Sequence, residues 1–235
     1  MAPKGSSYET AKTLVMAILL ALIFRSFAYE PFHIPSGSMK SNLLIGDYIF
    51  ISKFSYGYSR YSFPLAIIPF KGRVMENHMP QRGDIVVFRP PGQPNVDFIK
   101  RLIGLPGDRI QMKDGLLYIN DKPVEKEYVD DWVDEDLPPI DNVLKRYKET
   151  LPEGKSYLAV YKPVMGSAEN TQVFVVPQGH YFMMGDNRDN SQDSRFENPV
   201  GFVPEENLVG RADLILFSWS CGYPFCPHRA LMTLP

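Results

Sequence analysis

Apolar and polar residues follow each other in a pattern that predicts one N-terminal helix and then short strands along most of the chain. Residues 14–24 form an unbroken apolar run, with Lys4 and Lys12 before it and Arg25 after it. Farther along, apolar and β-branched residues come in short runs bounded by Gly, Pro, Asn and Asp, which is typical of strands joined by turns. We therefore predict a mostly β fold preceded by one helix.

Several strands are predicted between recognisable turns. Residues 43–53 indicate two strands around a turn, and Asp114-Gly115 is typical of the turn of a hairpin over residues 110–120. Further strands are predicted at residues 84–89, 97–103, 157–160, 173–176, 181–184 and 208–218. The segment between residues 121 and 178 is acidic and less regular, which suggests an insert beside the main sheet.

Composition and charge exclude several classes of protein. The 235 residues suit one domain, or one domain with a large insert. The formal net charge is −2 and the chain has no basic block, which argues against nucleic acid as a partner. Cys221, Cys226 and His228 lie close together without a fourth ligand, so we expect free thiols or one disulfide rather than structural zinc. No cofactor and no metal are predicted.

The first candidate for chemistry is the segment Pro35-Ser-Gly-Ser-Met39, which follows the apolar run closely. Gly37 has no Cβ, and its backbone freedom suits a tight turn that presents Ser38 to a substrate. Taken alone, however, such a segment is more often a simple polar turn. Its interpretation therefore depends on whether the chain also supplies a base.

Lys100 is the candidate base, because it lies in an apolar, β-prone run over residues 97–103. Burial disfavours the ammonium form of lysine, and a neutral lysine amine can accept the proton of a serine hydroxyl. Serine–lysine dyads are a known variant of the serine nucleophile. The alternative interpretation of Lys100 is an exposed lysine on the surface of a strand.

The third candidate is the polar, charged segment 185–195, which follows an apolar strand. A calcium loop would need acidic or amide ligands at alternate positions and a glutamate at its end. Arg188 falls on a ligand position if the loop starts at Asp186, and Val200 is the twelfth residue if it starts at Asp189. We therefore expect a rigid loop with internal Asp–Arg pairs rather than a calcium site.

Together these segments resemble bacterial type I signal peptidases over nearly the whole chain after the apolar run. The resemblance rests on five blocks in a common order: Ile34–Met39, Gly46–Tyr48, Arg82–Phe88, Ile99–Asp108 and Gly185–Arg195. It implies a membrane-bound serine endopeptidase that removes N-terminal signal peptides from exported preproteins. The implied cleavage follows small residues, in a pattern of the Ala-x-Ala type.

The resemblance also implies a role for each matching residue. Ser38 matches the nucleophile, and Lys100 matches the general base, which must be neutral at rest. Ser36 matches a hydroxyl that stabilises the oxyanion together with the backbone N–H of Ser38, and Ser191 matches a serine that orients the lysine amine. Four residues match side chains that brace the site through ion pairs: Arg101, Asp186, Asp193 and Arg195.

An extended substrate is expected to pair with an exposed strand of the site. Small residues before the cut imply shallow apolar pockets, for which the candidate lining residues are Phe32, Ile34 and Met39. One departure from the family pattern follows the serine segment. The family often has a proline within two residues of the motif, whereas this chain has Lys40-Ser41, so the turn after Ser38 is expected to be less rigidly fixed.

The resemblance implies an antiparallel-sheet catalytic core with an inserted smaller β-containing domain, preceded by one transmembrane helix. The expected division is a cytoplasmic N-terminus at 1–12, an anchor at 13–29, the core at 30–110 and 179–220, the insert at 111–178, and a C-terminal tail at 221–235. The implied location is the inner membrane of a bacterium, crossed once, with the catalytic domain on the outer, periplasmic face. The expected partners are membrane-inserted preproteins and the phospholipid bilayer, and the oligomeric state stays open.

Three interpretations of the apolar run compete: a cleaved signal peptide, a retained anchor and a buried helix. Ser26-Phe27-Ala28 is similar to a signal-peptide cleavage site, but Arg25 separates it from the apolar run. The run is shorter than the roughly 20 residues that span a bilayer, unless Lys12 and Arg25 extend to the headgroups. The resemblance favours the retained anchor, and the preceding lysines place its N-terminus in the cytoplasm.

The sequence leaves two alternative functions open, and one aromatic segment is a candidate for contact with the membrane. Another serine–lysine processing protease, such as a self-cleaving repressor, would need a DNA-binding domain, whereas the segment before Ser38 resembles a membrane segment. A non-enzymatic, membrane-anchored β-rich binding module would leave a buried Lys100 unexplained. The aromatic segment 54–70 is expected to touch the bilayer through residues such as Tyr58 and Ile67, the alternative being packing on its own domain.

Overall fold

The computed structural model describes residues 5–63, 71–75, 78–163, 166, 168–221 and 226–235. One N-terminal helix, α1 (Gly5–Phe27), precedes a β structure whose strands pair antiparallel. The prediction of a mostly β fold built on an antiparallel sheet is therefore confirmed. Four short 3₁₀ helices lie in the described residues, at Gly37–Met39, Arg60–Ser62, Glu205–Asn207 and Pro227–Arg229.

Fifteen strands lie in the described part of the chain. The first eight are β1 (Tyr29–His33), β2 (Asp47–Ser52), β3 (Ile85–Phe88), β4 (Phe98–Gly104), β5 (Arg109–Lys113), β6 (Leu116–Ile119), β7 (Lys122–Pro123) and β8 (Glu125–Val133). The others are β9 (Val143–Thr150), β10 (Ser156–Tyr161), β11 (Phe174–Val175), β12 (His180–Met184), β13 (Val203–Pro204), β14 (Leu208–Ser218) and β15 (Met232–Thr233).

The large sheet brings distant parts of the chain side by side. Its strands follow the order β1-β2-β14-β3-β4-β12-β13, and β15 pairs with β14. The long strand β14 joins the N-terminal hairpin to the rest of the sheet, because it pairs with both β2 and β3. Strand β3 is buried at every position and β4 at all but its first, so both faces are covered at the centre of the sheet.

Two smaller antiparallel sheets lie between β4 and β12 in the chain. One has the order β10-β9-β8, and the other has the order β11-β5-β6-β7. A buried apolar cluster joins them to the large sheet, since Ile103 and Phe182 pack with Ile110, Leu117 and Tyr157. These strands occupy the region of the predicted insert, whose boundaries stay a prediction.

Helix α1 ends earlier than the predicted anchor segment. That segment extended to residue 29, but Tyr29 is the first residue of β1, which pairs with β2 from Tyr29↔Ser52 to His33↔Tyr48. Residue 29 therefore belongs to the sheet and does not continue the helix, and the boundaries of the anchor stay a prediction. Among the described residues, no helix combines the length and the apolar character needed to cross a membrane.

The predicted hairpin at Asp114-Gly115 is present between β5 and β6, and both turn residues have positive φ angles, 49° and 71°. The first of the two strands predicted in residues 43–53 is absent. Those residues form turns, because the backbone N–H of Leu44 donates to the carboxylate of Asp47 over 2.8 Å. Strand β2 therefore begins only at Asp47.

The described part of the aromatic segment packs on its own domain. Tyr58 is buried, and its hydroxyl donates to the backbone carbonyl of Phe27 over 2.6 Å. Tyr56 and Tyr61 are buried as well. Tyr58 thus belongs to the folded domain rather than to an exposed aromatic surface, while Ile67 lies outside the described residues.

The C-terminal tail returns to the large sheet and supports the segment after Ser38. Cys221 and Cys226 form a disulfide, which is one of the two states expected for them. The guanidinium of Arg229 pairs with the carboxylate of Asp47 and donates to the backbone carbonyl of Asn42 over 3.0 Å. The tail therefore packs directly behind the turn that carries Ser38.

Candidate active site

The fold brings the hydroxyl of Ser38 and the amine of Lys100 together. Ser38 lies in the 3₁₀ helix after β1, and Lys100 lies 62 residues farther along the chain, on β4. Ser38 Oγ and Lys100 Nζ are 2.6 Å apart. The two residues are only 8% and 4% exposed. The distance is short enough for direct proton transfer between the two groups.

Burial gives the Lys100 amine an unusual acidity. Desolvation lowers the pKa of Lys100 from 10.5 to about 8, because the ammonium loses its hydration. The charges of Asp193 and Asp186 raise this pKa, and the charge of Arg195 lowers it further. With a pKa of about 8, roughly a tenth of the Lys100 side chains are neutral at pH 7.

The strand pattern explains why Lys100 is buried. Side chains alternate between the two faces of a strand, so Phe98 and Leu102 lie on the same face of β4 as Lys100. Leu102 belongs to one buried apolar cluster, and Phe98 packs against that cluster. Nζ of Lys100 lies 5.4 Å from the centroid of the Phe98 ring. The amine also donates to the backbone carbonyl of Ile99 over 3.0 Å.

Two parts of the molecule hold the serine turn, residues 35–41: the apolar core and residues 185–195. Met39 is fully buried in an apolar cluster and fixes the turn to the core. The backbone N–H of Asn187 donates to the carbonyl of Ser38 over 3.0 Å, and its side-chain amide donates to the carbonyl of Gly37 over 3.1 Å. Residues 185–195, the polar loop, therefore position the backbone that carries the Ser38 hydroxyl.

Gly185 permits this close approach of the polar loop. A Cβ at position 185 would lie 2.2 Å from Ser191 Oγ and 2.6 Å from the carbonyl oxygen of Ser38. Such contacts are far too short for any side chain. Glycine at this position thus lets the polar loop pack directly on the serine turn.

Ser36 and Ser191 reach the same cavity as Ser38 and Lys100. Ser36 is exposed, its backbone is extended, and its hydroxyl does not cap the 3₁₀ helix that follows. The hydroxyl of Ser191 is buried and has no hydrogen-bond partner among the described residues. Both hydroxyls are therefore near the site, and neither is held there by a hydrogen bond to Lys100.

Two buried ion pairs flank the site. Arg101 and Asp186 are both inaccessible to solvent and share two hydrogen bonds of 2.8 Å. Arg195 donates to both carboxylate oxygens of Asp193, over 2.8 and 2.9 Å, and this pairing lowers the pKa of Asp193 although burial acts to raise it. Because the same carboxylate accepts the N–H of Gly185, the second pair also shapes the polar loop.

A cavity of ≈ 710 Å³ opens over Ser38 and Lys100. The serine turn and the start of β4 form one side, and the polar loop forms the other. The residues that line it are Pro35, Ser36, Gly37, Ser38, Val96, Asp97, Phe98, Ile99, Lys100, Asp189, Asn190, Ser191, Gln192, Phe196 and Asn198.

The three residues predicted to line substrate pockets do not line this cavity. Ile34 and Met39 are buried in the apolar core beneath the serine turn, and Phe32 packs against the same core. Ile34 and Met39 pack there with Leu43, Ile49 and Ile51. The apolar part of the cavity wall comes instead from residues 96–99 and Phe196.

Several residues that shape the site had no local signal in the sequence. Arg188 is buried and pairs with Glu149 of β9 through hydrogen bonds of 2.8 and 2.7 Å. Lys40 is buried and pairs with Asp134 and Asp136. Each pair joins residues far apart in the chain, so inspection of a single segment does not reveal it. The hint of a buried ion pair was that Lys40 is a charged residue directly after the apolar Met39.

Comparison with known proteins agrees with this geometry. A profile of the family described as signal peptidase, peptidase S26, matches residues 7–219. Signal peptidase I of Rickettsia typhi is 49% identical over 215 residues, which cover 88% of this chain and 78% of that protein. Signal peptidase I of Rickettsia conorii is 47% identical over 228 residues, which cover 92% and 83%.

A solved structure of a signal peptidase I from Enterococcus faecalis V583 also matches, with a TM-score of 0.34 and 29% identity. It covers 57% of this chain and 97% of that one. The family assignment rests on the profile match and on the curated relatives, both of which extend over most of the chain. The chain therefore belongs to the signal peptidase family, peptidase S26, and is a peptidase.

Proposed function

We propose that this peptidase removes N-terminal signal peptides from membrane-inserted preproteins, with Ser38 as the nucleophile and Lys100 as the general base. The observation that carries the proposal is the 2.6 Å distance between Ser38 Oγ and Lys100 Nζ in a buried site. The lowered pKa of Lys100, about 8, makes its amine a competent base near neutral pH.

In the first half of the reaction, the neutral amine of Lys100 takes the proton of the Ser38 hydroxyl as Oγ attacks the scissile carbonyl carbon. A tetrahedral intermediate forms, and its negative oxygen needs hydrogen-bond donors. The peptide C–N bond then breaks, and the Lys100 ammonium gives its proton to the departing amine. The product of this half is an ester between Ser38 and the signal peptide.

Water completes the reaction through the same two groups. The Lys100 amine takes a proton from water as the oxygen of that water attacks the ester carbonyl. The ester bond breaks, and the proton returns from Lys100 to Ser38 Oγ. The signal peptide leaves with a carboxylate, and the enzyme regains its starting state.

The free hydroxyl of Ser36 and the backbone N–H of Ser38 are the proposed donors to the oxyanion. Ser36 lines the cavity and does not cap the 3₁₀ helix, so its hydroxyl is available to a substrate oxygen. Removing one such donor typically lowers turnover by about 10²–10³-fold. Ser191 is the proposed orienting residue for Lys100, because its buried hydroxyl lines the same cavity as the lysine and lies beside Asp193, whose charge raises the pKa of Lys100.

The proposed substrate lies extended along the start of β4. Residues 98–100 pair with β3 on one side, while the pairing of β4 with β12 begins only at Arg101↔Met184. The other main-chain edge of residues 98–100 therefore faces the cavity, where an extended peptide can add as a strand. The apolar side chains of Phe98, Ile99 and Phe196 provide shallow walls suited to small residues of the Ala-x-Ala type.

We propose a single-pass anchor that includes α1, although α1 by itself does not combine the length and apolar character of a full span, and an active site on the outer face of the inner membrane of a bacterium. Large apolar side chains of α1, among them Leu14, Ile18 and Leu20, are at least half exposed. The disulfide Cys221–Cys226 is of a kind that persists in oxidising compartments such as the bacterial periplasm. This placement would bring the site to membrane-inserted preproteins.

The test is cleavage of a preprotein that carries an Ala-x-Ala site, in detergent micelles, by wild type, Ser38→Ala and Lys100→Ala. We expect both variants to lose cleavage by at least about 10²-fold, since each removes a group that takes part in the reaction. Mass spectrometry of the products should place the cut after the second alanine. A preprotein with a bulky residue at that position should stay intact.

Lys145→Ala is the matched control, because Lys145 is an exposed lysine that lies far from Ser38 in an ion pair with Asp131. It should cleave at the wild-type rate. Activity that persists in Ser38→Ala would assign the nucleophile elsewhere. Activity that persists in Lys100→Ala would remove the proposed base, and either result would overturn the mechanism.

A further inference from the structure

A second buried lysine, Lys40, belongs to the serine turn and has partners different from those of Lys100. Lys40 is 3% exposed, and its Nζ lies 2.5 Å from Asp134 Oδ1 and 2.6 Å from Asp136 Oδ2. The two carboxylates belong to the loop between β8 and β9, residues 134–142, which we name the acidic loop. The contact spans 94 residues of sequence and joins the region of the predicted insert to the serine turn.

The stem of Lys40 covers the turn itself. The Cε and Cδ atoms of Lys40 lie 3.0 and 3.1 Å from the position that a Cβ on Gly37 would occupy. The backbone N–H of Lys40 donates to the carbonyl of Gly37 over 3.2 Å and closes the 3₁₀ helix that contains Ser38. A shift of Lys40 would therefore move atoms in direct contact with the residue that precedes Ser38.

The acidic loop is built around the Asp134 carboxylate. Asp134 is 2% exposed, its N–H donates to the carbonyl of Asn142, and its Oδ1 accepts the N–H of Asp136 over 3.1 Å. Its Oδ2 is buried without a hydrogen-bond partner among the described residues. Within that part of the chain, Lys40 is the cation that pairs with Asp134, so the buried charge depends on it.

The serine turn needs this support. The chain has Lys40-Ser41 where the related motif often has proline, so no proline ring restricts the backbone after Ser38. The polar loop contacts the turn through Asn187, which binds the carbonyls of Gly37 and Ser38. The two carboxylates at Lys40 are a second set of contacts to the turn, separate from those of Asn187.

We propose that Lys40 is a positioning residue for this peptidase, and that the acidic loop, through Asp134 and Asp136, holds the serine turn in the geometry that places Ser38 Oγ against Lys100. Lys40 does not touch the reacting atoms, since its amine is occupied by the two carboxylates. The inference rests on the proposed role of Ser38. It assigns part of the active-site geometry to the region of the predicted insert.

The test is steady-state cleavage of the preprotein by Lys40→Met, Asp134→Asn and Lys40→Arg. Each is measured at a temperature at which circular dichroism shows that variant to be fully folded. Lys40→Met keeps the length of the stem and removes both ion pairs. Asp134→Asn keeps the shape of the partner and removes its charge. A displacement of about 1 Å at a reacting group can cost about 100-fold, so we expect a 10–100-fold loss of kcat with KM within about twofold.

Lys40→Arg should recover most of the activity, because a guanidinium can bind both carboxylates. Lys145→Met is the matched control, since it removes an exposed ion pair with Asp131 on the same hairpin and leaves the serine turn untouched. It should keep the wild-type kcat. Loss of stability alone would not change kcat measured on fully folded enzyme.

Three results would overturn the proposal: kcat within about twofold of wild type in Lys40→Met and Asp134→Asn, a loss of kcat in Lys145→Met as large as theirs, or no recovery in Lys40→Arg. These outcomes are separable from failure of the proposed mechanism. If Ser38→Ala is inactive while Lys40→Met is fully active, only the positioning role of Lys40 is wrong. If Ser38→Ala stays active, the assignment of the nucleophile is wrong.

Discussion

Lys100 contacts the serine turn and Lys40 is part of it, and both lysines are almost completely buried. Their partners differ. Lys40 Nζ lies within hydrogen-bond distance of two carboxylates, whereas Lys100 Nζ contacts the Ser38 hydroxyl and the Ile99 carbonyl. Burial alone therefore does not decide what a lysine does. For Lys100, where no carboxylate of the described residues lies within hydrogen-bond distance of the amine, burial lowers the pKa to about 8.

The acids nearest to Lys100 explain the difference further. Asp186 is bound by Arg101 and Asp193 by Arg195, so both carboxylates are already neutralised by a guanidinium. The charges of these two acids still raise the pKa of Lys100, but desolvation is the larger effect and the pKa falls to about 8. In the two buried ion pairs, arginines bind the carboxylates nearest to Lys100, and the pair with Asp193 also positions the polar loop.

Exchange of each lysine for arginine should separate the two roles most sharply. Arginine stays charged at any accessible pH, so Lys100→Arg cannot act as a base and should lose about 10²–10⁴-fold in kcat. Lys40→Arg can keep both ion pairs and should lose only a few-fold. Steady-state cleavage of one preprotein by the two variants measures the contrast. A loss of only a few-fold in both variants would show that both positions need only a cation, and a large loss in both would contradict the proposed role of Lys40.

Stability should change in opposite directions when each lysine becomes methionine. The folded pKa of Lys100 is about 8 against 10.5 as the reference, so the folded state binds fewer protons than the unfolded state between these values, and stability rises with pH across that window. At pH 7 the penalty reaches about 3 kcal/mol, which Lys100→Met would remove. Lys40→Met should destabilise, because it leaves Asp134 buried and unpaired.

Urea unfolding at pH 7 and pH 10 measures both effects. The gain in Lys100→Met should be large at pH 7 and small at pH 10, where most Lys100 amines in the folded wild type are already neutral. A gain that is equal at both pH values would reflect better packing of methionine and would argue against the lowered pKa. Stabilisation by Lys40→Met would contradict the ion pairs of the acidic loop.

The pH dependence of cleavage should report Lys100 and not Lys40. Because the neutral amine is the active form, kcat/KM should rise with pH and level off above the pKa of about 8. The expected rise between pH 7 and pH 9 is about tenfold. Lys40→Arg should show the same midpoint as wild type. A midpoint near 10, or one displaced in Lys40→Arg, would contradict the separation of the two lysines.

Local patterns in the sequence identified much of the fold and the family. The apolar runs around Lys100 and before the polar loop predicted β4 and β12, and Asp114-Gly115 predicted a hairpin that is present. These features depend on neighbouring residues, whose propensities and turn preferences act over a few positions. The ordered motifs likewise marked Ser38 and Lys100, because each lies inside a short segment with a recognisable pattern.

Other predictions failed where packing decided the outcome. Ile34 and Met39 were expected to line a substrate pocket, but the serine turn directs them into the core. Tyr58 was expected to touch the bilayer, with packing on its own domain as the alternative, and in the structure it is buried and its hydroxyl donates to the carbonyl of Phe27. An apolar side chain looks alike in sequence whether it faces a substrate or the interior, and only the neighbouring strands determine which face is covered.

The sequence by itself indicated which residues are proposed to carry the chemistry and that the chain resembles a β-rich family of peptidases. Only the tertiary structure decided how those residues are held. The 2.6 Å contact of Ser38 with Lys100, the neutralised acids around it and the link from Lys40 to the acidic loop all join segments far apart in the chain. Such contacts depend on strand order and on burial, which are properties of the whole fold and leave no pattern within any one segment.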